Sequence, residues 1–217
     1  MNPETELITF ENWTLRVRPP LGEARRILVM LHGWQGDENS MWIFARNFPT
    51  DCWIVAPQAP HVSREKGYSW RAPDSGKWPS VESLRASADG LIRLLDAWAA
   101  ANGVDATLLD VAGFSQGAAM VFELGLLYPA RVRKMAILAG FAPDGAEQVL
   151  VPGQLAGKSI FVAHGTKDEM VPIEQARRTI QLLELAGAQV RYCESEIGHK
   201  LSAEGLKQLE GYLKDEG

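Results

Sequence analysis

This chain has few cysteines and lacks long apolar runs. Two cysteines, Cys52 and Cys193, lie far apart in 217 residues, so a disulfide-stabilised scaffold is disfavoured and buried free thiols are expected. No apolar run approaches the roughly 18 residues that a membrane-spanning helix needs. The first residues, MNPETELITFENW, lack the basic and apolar regions of a signal peptide. We therefore expect a cytoplasmic protein without a membrane span.

A strong charge of either sign is also lacking. Lys and Arg number 22 against 27 Asp and Glu, and the resulting net charge of −5 is spread along the chain. This balance argues against nucleic acid or an anionic membrane surface as a partner. The four histidines show no H-x-x-x-H or H-x-H spacing and the cysteines no C-x-x-C, so no metal site is expected. The length suits one domain over residues 1–217.

The chain does have a regular alternation of strand and helix signals. Apolar runs typical of buried strands cover residues 26–31, 52–56, 108–112, 134–139, 159–163 and 189–194, and residues 14–18 suggest an edge strand. Helical spacing appears around residues 41–45, 81–101, 116–127, 172–186 and 202–213. This alternation predicts an α/β fold with a doubly wound, mainly parallel sheet. Residues 140–158 are too few to hold a cap domain.

A candidate nucleophile stands between the strand at 108–112 and the helix that follows it. Gly113-Phe114-Ser115-Gln116-Gly117 is a G-x-S-x-G sequence, typical of a nucleophile elbow. Glycines two residues before and after the serine remove side chains that would clash where a strand turns directly into a helix. The serine is then held in a strained conformation, and the N-terminus of the helix faces developing negative charge. We expect Ser115 to be the nucleophile.

A serine nucleophile needs a base and an orienting acid from other loops at the same edge of the sheet. His199, after the last strand, is the candidate base, because imidazole titrates near neutral pH. Asp168, after the preceding strand, can accept a hydrogen bond from the imidazole, and Ser, Asp, His is the α/β-hydrolase order. Asp144 is the rival acid. His32 and His164 each precede a glycine at a strand end and are predicted to orient their loops.

The remaining site predictions concern the oxyanion hole and the substrate. The backbone N–H of Gln116, after the nucleophile, and that of Trp34, after the strand at 26–31, are the candidate oxyanion donors. Residues 61–80 have no clear period but contain three aromatic residues, so this loop is predicted to cover the site. The candidate residues for an acyl-binding wall are Trp34, Trp70, Met170 and Leu201.

Five motifs together resemble a known family. The segments LHGWQGDEN, APQAP, GFSQGA, HGTKDEMVP and GH, in this order, are similar to the phospholipase/carboxylesterase family of α/β hydrolases, which includes acyl-protein thioesterases and small bacterial carboxylesterases. The resemblance covers about residues 27–213. It implies an α/β-hydrolase fold without a cofactor, a triad of Ser115, Asp168 and His199, and oxyanion donors at Trp34 and Gln116.

The favoured function is a serine hydrolase that cleaves small-molecule carboxylic esters of short to medium acyl chains. An acyl-protein thioesterase or lysophospholipase activity is the alternative within this fold. Two other functions are possible on the same fold, since fold does not imply function: a non-catalytic ligand-binding protein and a peptidase. The sequence leaves open whether the chain forms a homodimer.

Overall fold

A mainly parallel eight-stranded sheet forms the centre of the molecule. The structure is a computed structural model and describes residues 4–24, 26–73 and 78–215. The described strands are β1 (Glu6–Phe10), β2 (Trp13–Arg18), β3 (Arg26–Leu31), β4 (Cys52–Pro57), β5 (His61–Val62), β6 (Tyr68–Ser69), β7 (Leu109–Phe114), β8 (Val132–Leu138), β9 (Ser159–Gly165) and β10 (Gln189–Ser195). The sheet has the spatial order β1-β2-β4-β3-β7-β8-β9-β10, and β5 pairs only with β6. Strand β2 is antiparallel to both neighbours, and all other adjacent pairs in the large sheet are parallel.

The helices alternate with these strands. They are α1 (Val81–Asn102), α2 (Gln116–Leu127), α3 (Ala146–Val149), α4 (Ile173–Leu185) and α5 (Ala203–Lys214), with two 3₁₀ helices at Ser40–Ile43 and Ala45–Asn47. Helix α1 begins with a reciprocal capping box between Ser80 and Ser83 and ends at Gly103, whose φ of 64° is left-handed. The α5 N-cap Ser202 accepts a hydrogen bond from the Gly205 N–H.

Both faces of the sheet are covered, as a parallel sheet requires. Successive side chains of a strand point to opposite faces, so Val29 joins the core beneath α1 and α2, whereas Leu28 and Met30 join the core beneath the 3₁₀ helices and α5. Cys52 and Cys193 lie in this second core as buried free thiols, as expected. None of the helices in the described ranges is both long and apolar enough to cross a membrane.

The strand order reverses at β3. The chain passes from β3 to β4 on one side and returns to place β7 on the other side. In open α/β sheets, ligands bind beyond the carboxyl ends of the strands at such a switch point, because the loops diverge there. The loops after β3 and β7 therefore frame the expected site.

The doubly wound, mainly parallel sheet is confirmed, and two local predictions are wrong. Residues 14–18, which belong to β2, are predicted as the edge strand, but β1 pairs with β2 on its outer side and is the edge strand. Because β1 is mostly exposed, it lacks the apolar run that identifies a buried strand in a sequence. A helix is predicted around residues 41–45, where the structure has two 3₁₀ turns. Between β8 and β9 the only helix described is the four-residue α3, so no cap domain is inserted there.

Candidate active site

Ser115 occupies a strained position between β7 and α2. Its φ of 54° and ψ of −116° lie outside the regions that a non-glycine residue ordinarily adopts. A Cβ at Gly113 would collide with the Gly117 carbonyl oxygen, and a Cβ at Gly117 would collide with that of Leu31. The two glycines of the motif therefore let the elbow pack against its own helix and against β3.

His199 and Asp168 form a short hydrogen bond in the loops that follow β10 and β9. The His199 Nδ1–H donates to Asp168 Oδ2 over 2.7 Å. The other carboxylate oxygen, Oδ1, accepts from the backbone N–H groups of Met170 at 3.0 Å and Val171 at 2.8 Å. In a neutral imidazole, a proton on Nδ1 leaves a lone pair on Nε2, and this is the tautomer that a general base needs.

The two loops are held together by their backbones. The N–H of Thr166 donates to the Ser195 carbonyl over 2.8 Å, and that of Lys167 donates to the Ile197 carbonyl over 2.9 Å. A Cβ at Gly165 would collide with this Ile197 oxygen. Glycine at this position therefore permits the close approach that brings Asp168 to His199, although 31 residues separate them.

The rival acid lies elsewhere. Asp144 pairs through its backbone with the start of α1, accepting from the Val81 N–H and donating to the Pro79 carbonyl, each over 2.9 Å. It lines a shallow surface cavity with neighbours such as Ser80 and Gln148, and neither Ser115 nor His199 lines that cavity. The geometry therefore favours Asp168 as the partner of the base.

The two other strand-end histidines make structural hydrogen bonds. His32 Nδ1–H donates to the Gly33 carbonyl over 2.7 Å, while Nε2 accepts from the Ala59 N–H over 3.0 Å. His164 Nε2–H donates to the Val171 carbonyl over 2.9 Å. Burial lowers the pKa of both imidazoles below the ordinary value. Both rings therefore position loops as neutral groups, which agrees with the role predicted for them.

The candidate oxyanion donors are two backbone N–H groups beside Ser115. In the part of the chain that the structure describes, no acceptor is bonded to the N–H of Trp34 or Gln116. The Trp34 loop is held by a backbone pair, in which Gln35 N–H donates to the Tyr68 carbonyl and Tyr68 N–H to that of Gly36, each over 2.9 Å. Two unsatisfied donors on anchored backbone can bind a developing oxyanion without reorganising.

Trp70 does not line the substrate cavities, and the prediction that it forms the acyl-binding wall is wrong. Its side chain is 0% exposed and packs in the core beneath α1. The indole N–H donates to the His32 carbonyl over 2.8 Å, and the backbone N–H donates to Gln116 Oε1 over 2.9 Å. Trp70 therefore supports the loops that carry the oxyanion donors.

Two cavities meet at Ser115. The larger, about 570 Å³, is lined by Gly33, Trp34, Gln35, Gly36, Ser40, Met41, Ile43, Phe44, Lys66, Phe114, Ser115, Met170, His199, Lys200 and Leu201. The smaller, about 210 Å³, is lined by Trp34, Arg71, Trp78, Pro79, Ser115, Gln116, Phe141, Met170 and Val171. Trp34 and Met170, 55% and 62% exposed, stand between the two cavities and line both.

Some of the residues that line these two cavities are predicted from the sequence, and others are not. Trp34, Met170 and Leu201 are among the lining residues, as predicted. The predicted covering loop contributes Lys66 and Trp78, but part of it is the β5–β6 hairpin packed against the loop after β3, and residues 74–77 lie outside the described ranges. Phe141, whose ring meets that of Trp78 edge-on at 4.8 Å, follows β8 in a segment with no sequence signal of function.

Metal ligation has no support in this geometry. Within the described residues, no group of three or more His, Cys, Asp or Glu side chains is arranged to hold a metal ion. The chemistry that the arrangement permits is nucleophilic attack by a hydroxyl, assisted by an oriented imidazole and two backbone donors.

Comparison with known proteins agrees with this chemistry. A family model described as Phospholipase/Carboxylesterase matches residues 12–216. A probable carboxylesterase of Arabidopsis thaliana is 26% identical over 205 residues, covering 89% of this chain and 73% of the relative. Acyl-protein thioesterase 1 of Neurospora crassa is 25% identical and covers 93% of each chain.

Solved structures show the same fold. The Bacillus cereus carboxylesterase superposes with a TM-score of 0.84 at 20% identity, covering 94% of each chain. The matched family model spans nearly the whole chain. The chain therefore belongs to the phospholipase/carboxylesterase family and is a carboxylesterase-type hydrolase with the α/β-hydrolase fold.

Proposed function

We propose that this protein hydrolyses small-molecule carboxylic esters through an acyl-enzyme formed on Ser115. The observation that carries the proposal is the 2.7 Å bond from His199 Nδ1 to a buried Asp168, in loops beside a serine with left-handed φ. The strained backbone at the nucleophile costs folding free energy, and such strain concentrates at active sites.

The proposed reaction has two halves. His199 Nε2 takes the hydroxyl proton as Ser115 Oγ attacks the ester carbonyl carbon, and the Trp34 and Gln116 N–H groups bind the resulting oxyanion. When the intermediate collapses, His199 gives the proton to the leaving alkoxide, and the acyl group stays on Ser115. Water then attacks the acyl-enzyme with His199 again as base, which releases the acid and restores the serine.

The proposed acyl preference is for short to medium chains. Each methylene that is buried contributes about 0.8 kcal/mol, but only while it still finds apolar wall. The wall around Ser115 is formed by Trp34, Met170 and, on one side, Phe141 and Trp78. In the ranges that the structure describes, no cap domain extends this wall, so kcat/KM should level off or fall as the acyl chain lengthens.

Thioester hydrolysis is the second candidate within the same mechanism. The similarity to acyl-protein thioesterase 1 over 93% of both chains favours it. Oxygen esters and thioesters share the tetrahedral intermediate, so the same site can act on both. The two activities are compared with an oxygen ester and a thioester of the same acid. The ratio of kcat/KM for the two substrates shows which one the protein prefers.

The test of the proposed function is loss of the Ser115 hydroxyl. Ser115→Ala should abolish hydrolysis of p-nitrophenyl acetate and butyrate beyond the residual catalysis of the oxyanion donors, and should block labelling by a fluorophosphonate, which phosphonylates an activated serine. Ser87→Ala is the matched control, because that hydroxyl is buried on α1 and has no hydrogen-bond partner among the described residues. Near-normal turnover or labelling of Ser115→Ala would refute the proposal.

A further inference from the structure

The two cavities at Ser115 differ in the catalytic group that lines them. His199 lines only the larger cavity, and Gln116 only the smaller one. If the proposed function holds, His199 must protonate the leaving oxygen, so that oxygen lies on the His199 side of Ser115 when the intermediate collapses. The alcohol half of the ester then extends into the larger cavity, and the acyl half extends into the smaller one.

The sizes of the cavities fit this division of the substrate. Cavities that hold a drug-sized ligand span roughly 300–1,000 Å³. The larger cavity, at about 570 Å³, lies inside that range, whereas the smaller one, at about 210 Å³, lies below it. The alcohol half can therefore be much bulkier than the acyl half.

The two lysines that line the larger cavity are its charged lining residues, in a chain that is negative as a whole. Among the described residues that line it are Lys66 and Lys200 and no aspartate or glutamate, although the chain carries 27 acidic residues against 22 basic ones. Lys66 lies in the turn between β5 and β6, and Lys200 follows His199 in sequence. Two lysines from distant parts of the chain thus meet at one cavity.

These lysines differ from a third lysine near the site. In the described part of the chain, neither Lys66 nor Lys200 has a carboxylate within ion-pair distance, whereas Lys167 lies 2.9 Å from Glu196 and does not line the cavity. The acid next to Lys66 in sequence, Glu65, accepts a hydrogen bond from Gln35 Nε2 over 2.9 Å and also does not line the cavity. The positive charge of the larger cavity is thus left for a ligand.

We propose that the larger cavity is a leaving-group site for an alcohol that bears a carboxylate or a phosphate, so that the preferred substrates are esters of a short acyl group with an anionic alcohol. Lys66 and Lys200 attract the anion, and the apolar residues Ile43, Phe44 and Leu201 contact the body of the alcohol. Smaller substrates with neutral alcohols react at the same serine but leave this charge unused.

Aryl acetates that differ only in charge test the anion. The substrates are 4-acetoxybenzoate, its neutral analogue 4-acetoxybenzamide, and 4-acetoxyphenyl phosphate, each corrected for its rate of hydrolysis by hydroxide. We expect kcat/KM to be higher for the anions than for the amide, and added salt to reduce the difference, because screening weakens interactions between exposed charges. The anion with the larger increase in kcat/KM over the amide, carboxylate or phosphate, is the one that the site favours.

Substitution of the lysines tests the assignment. Lys66→Gln and Lys200→Gln should each lower the ratio of kcat/KM for 4-acetoxybenzoate over 4-acetoxybenzamide by about two- to five-fold, the size of one solvent-exposed charge pair. Lys167→Gln is the matched control and should leave the ratio unchanged. A wild-type ratio of one or less, or a ratio unaffected in the double variant, would overturn the inference.

A narrowing substitution tests which half of the ester occupies the larger cavity. Ile43 is 75% exposed at that cavity, so Ile43→Trp can be tolerated by the fold. It should reduce kcat/KM for acetates of bulky aryl alcohols more than for ethyl esters of longer acids. The opposite pattern would place the acyl chain in the larger cavity and overturn the inference.

The failure of this inference is distinguishable from failure of the proposed function. Hydrolysis that is lost in Ser115→Ala but shows no preference for anionic alcohols rejects the leaving-group site alone. Hydrolysis that persists in Ser115→Ala rejects the proposed function and the inference with it.

Discussion

Asp168 and Glu123 both carry buried carboxyl groups, and the surroundings of the two groups are opposite. Asp168 receives three hydrogen bonds through its two oxygens, from His199 and from the N–H groups of Met170 and Val171. Glu123, on the helix that follows Ser115, is 0% exposed, and neither of its oxygens has a hydrogen-bond partner in the described ranges. The Asp168 carboxyl lies in a loop among donors, and the Glu123 carboxyl lies on a helix without a donor in the described ranges.

The difference shows in the ionisation of Glu123. Burial raises the pKa of this carboxyl from the ordinary 4.5 to about 8; Arg85 opposes the shift, while Asp89 and Glu82 add to it. At neutral pH the side chain therefore keeps its proton. Donors replace the lost water around the Asp168 carboxyl, whereas none does so around Glu123 among the described residues.

Asp168→Asn should give the largest effect. The amide has the same size, but it cannot fix the imidazole tautomer or stabilise an imidazolium. If Asp168 has the proposed role, kcat on p-nitrophenyl esters should fall by about ten-thousand-fold, as the same substitution does in a serine protease triad. Asp144→Asn is the control and should keep kcat near the wild-type value, because Asp144 lines a separate surface cavity. Equal and mild losses at both positions would mean that the donors around Asp168 serve folding only.

Glu123→Gln should change stability and its dependence on pH. The folded pKa of about 8 lies above the unfolded value of 4.5, so between these pH values the folded chain holds a proton that the unfolded chain has lost. The free energy of unfolding should therefore fall as pH rises from about 5 to 8, by an amount on the order of 3 kcal/mol, since one pKa unit corresponds to about 1.4 kcal/mol. Glu123→Gln removes this group and should flatten the slope.

Urea unfolding at a series of pH values measures that slope. Glu184→Gln is a matched control, because Glu184 is an exposed glutamate on α4 and its loss should leave the slope as in the wild type. Hydrolysis at pH 7 should be unaffected by Glu123→Gln if this carboxyl takes no part in the reaction. An unchanged pH slope in Glu123→Gln would show that the buried carboxyl finds donors after all.

His164→Ala should give the smallest effect. His164 donates to the Val171 carbonyl, and its Nε2 lies 3.6 Å from Asp168 Oδ2, so it supports the loop without being the main partner of the carboxylate. The unsatisfied carbonyl should cost about 1–3 kcal/mol of stability, while kcat falls by less than ten-fold. His164→Gln, which keeps a donor, should recover part of the stability. A loss of kcat as large as that of Asp168→Asn would make His164 an essential partner of Asp168.

Prediction from the sequence succeeded where neighbours in the chain define the structure. The G-x-S-x-G pentad needs only a strand, a turn and a helix, and Ser115 has the strained conformation that this motif predicts. The buried strands were recognisable because both of their faces are covered, which produces continuous apolar runs. Strand β1, largely exposed, has no such run.

The surroundings of single side chains were harder to predict. The sequence predicts Trp70 as a residue of the site because it lies in an irregular aromatic segment, yet it follows the β5–β6 hairpin into the core. Phe141 lines the smaller cavity without a sequence signal. Trp70 is held by Gln116 and His32, and Phe141 packs on Trp78, so both positions depend on residues more than thirty places away in the chain.

The sequence by itself determined the alternation of strands and helices, the elbow at Ser115 and the chain order of the candidate triad, because these depend on local periodicity and on backbone sterics at glycine. Only the tertiary structure decided that Asp168 rather than Asp144 meets His199, that Glu123 is buried without donors, and that two cavities of unequal size meet at Ser115. The physical reason is that burial, hydrogen-bond satisfaction and cavity shape arise from packing between distant segments, which no local pattern encodes.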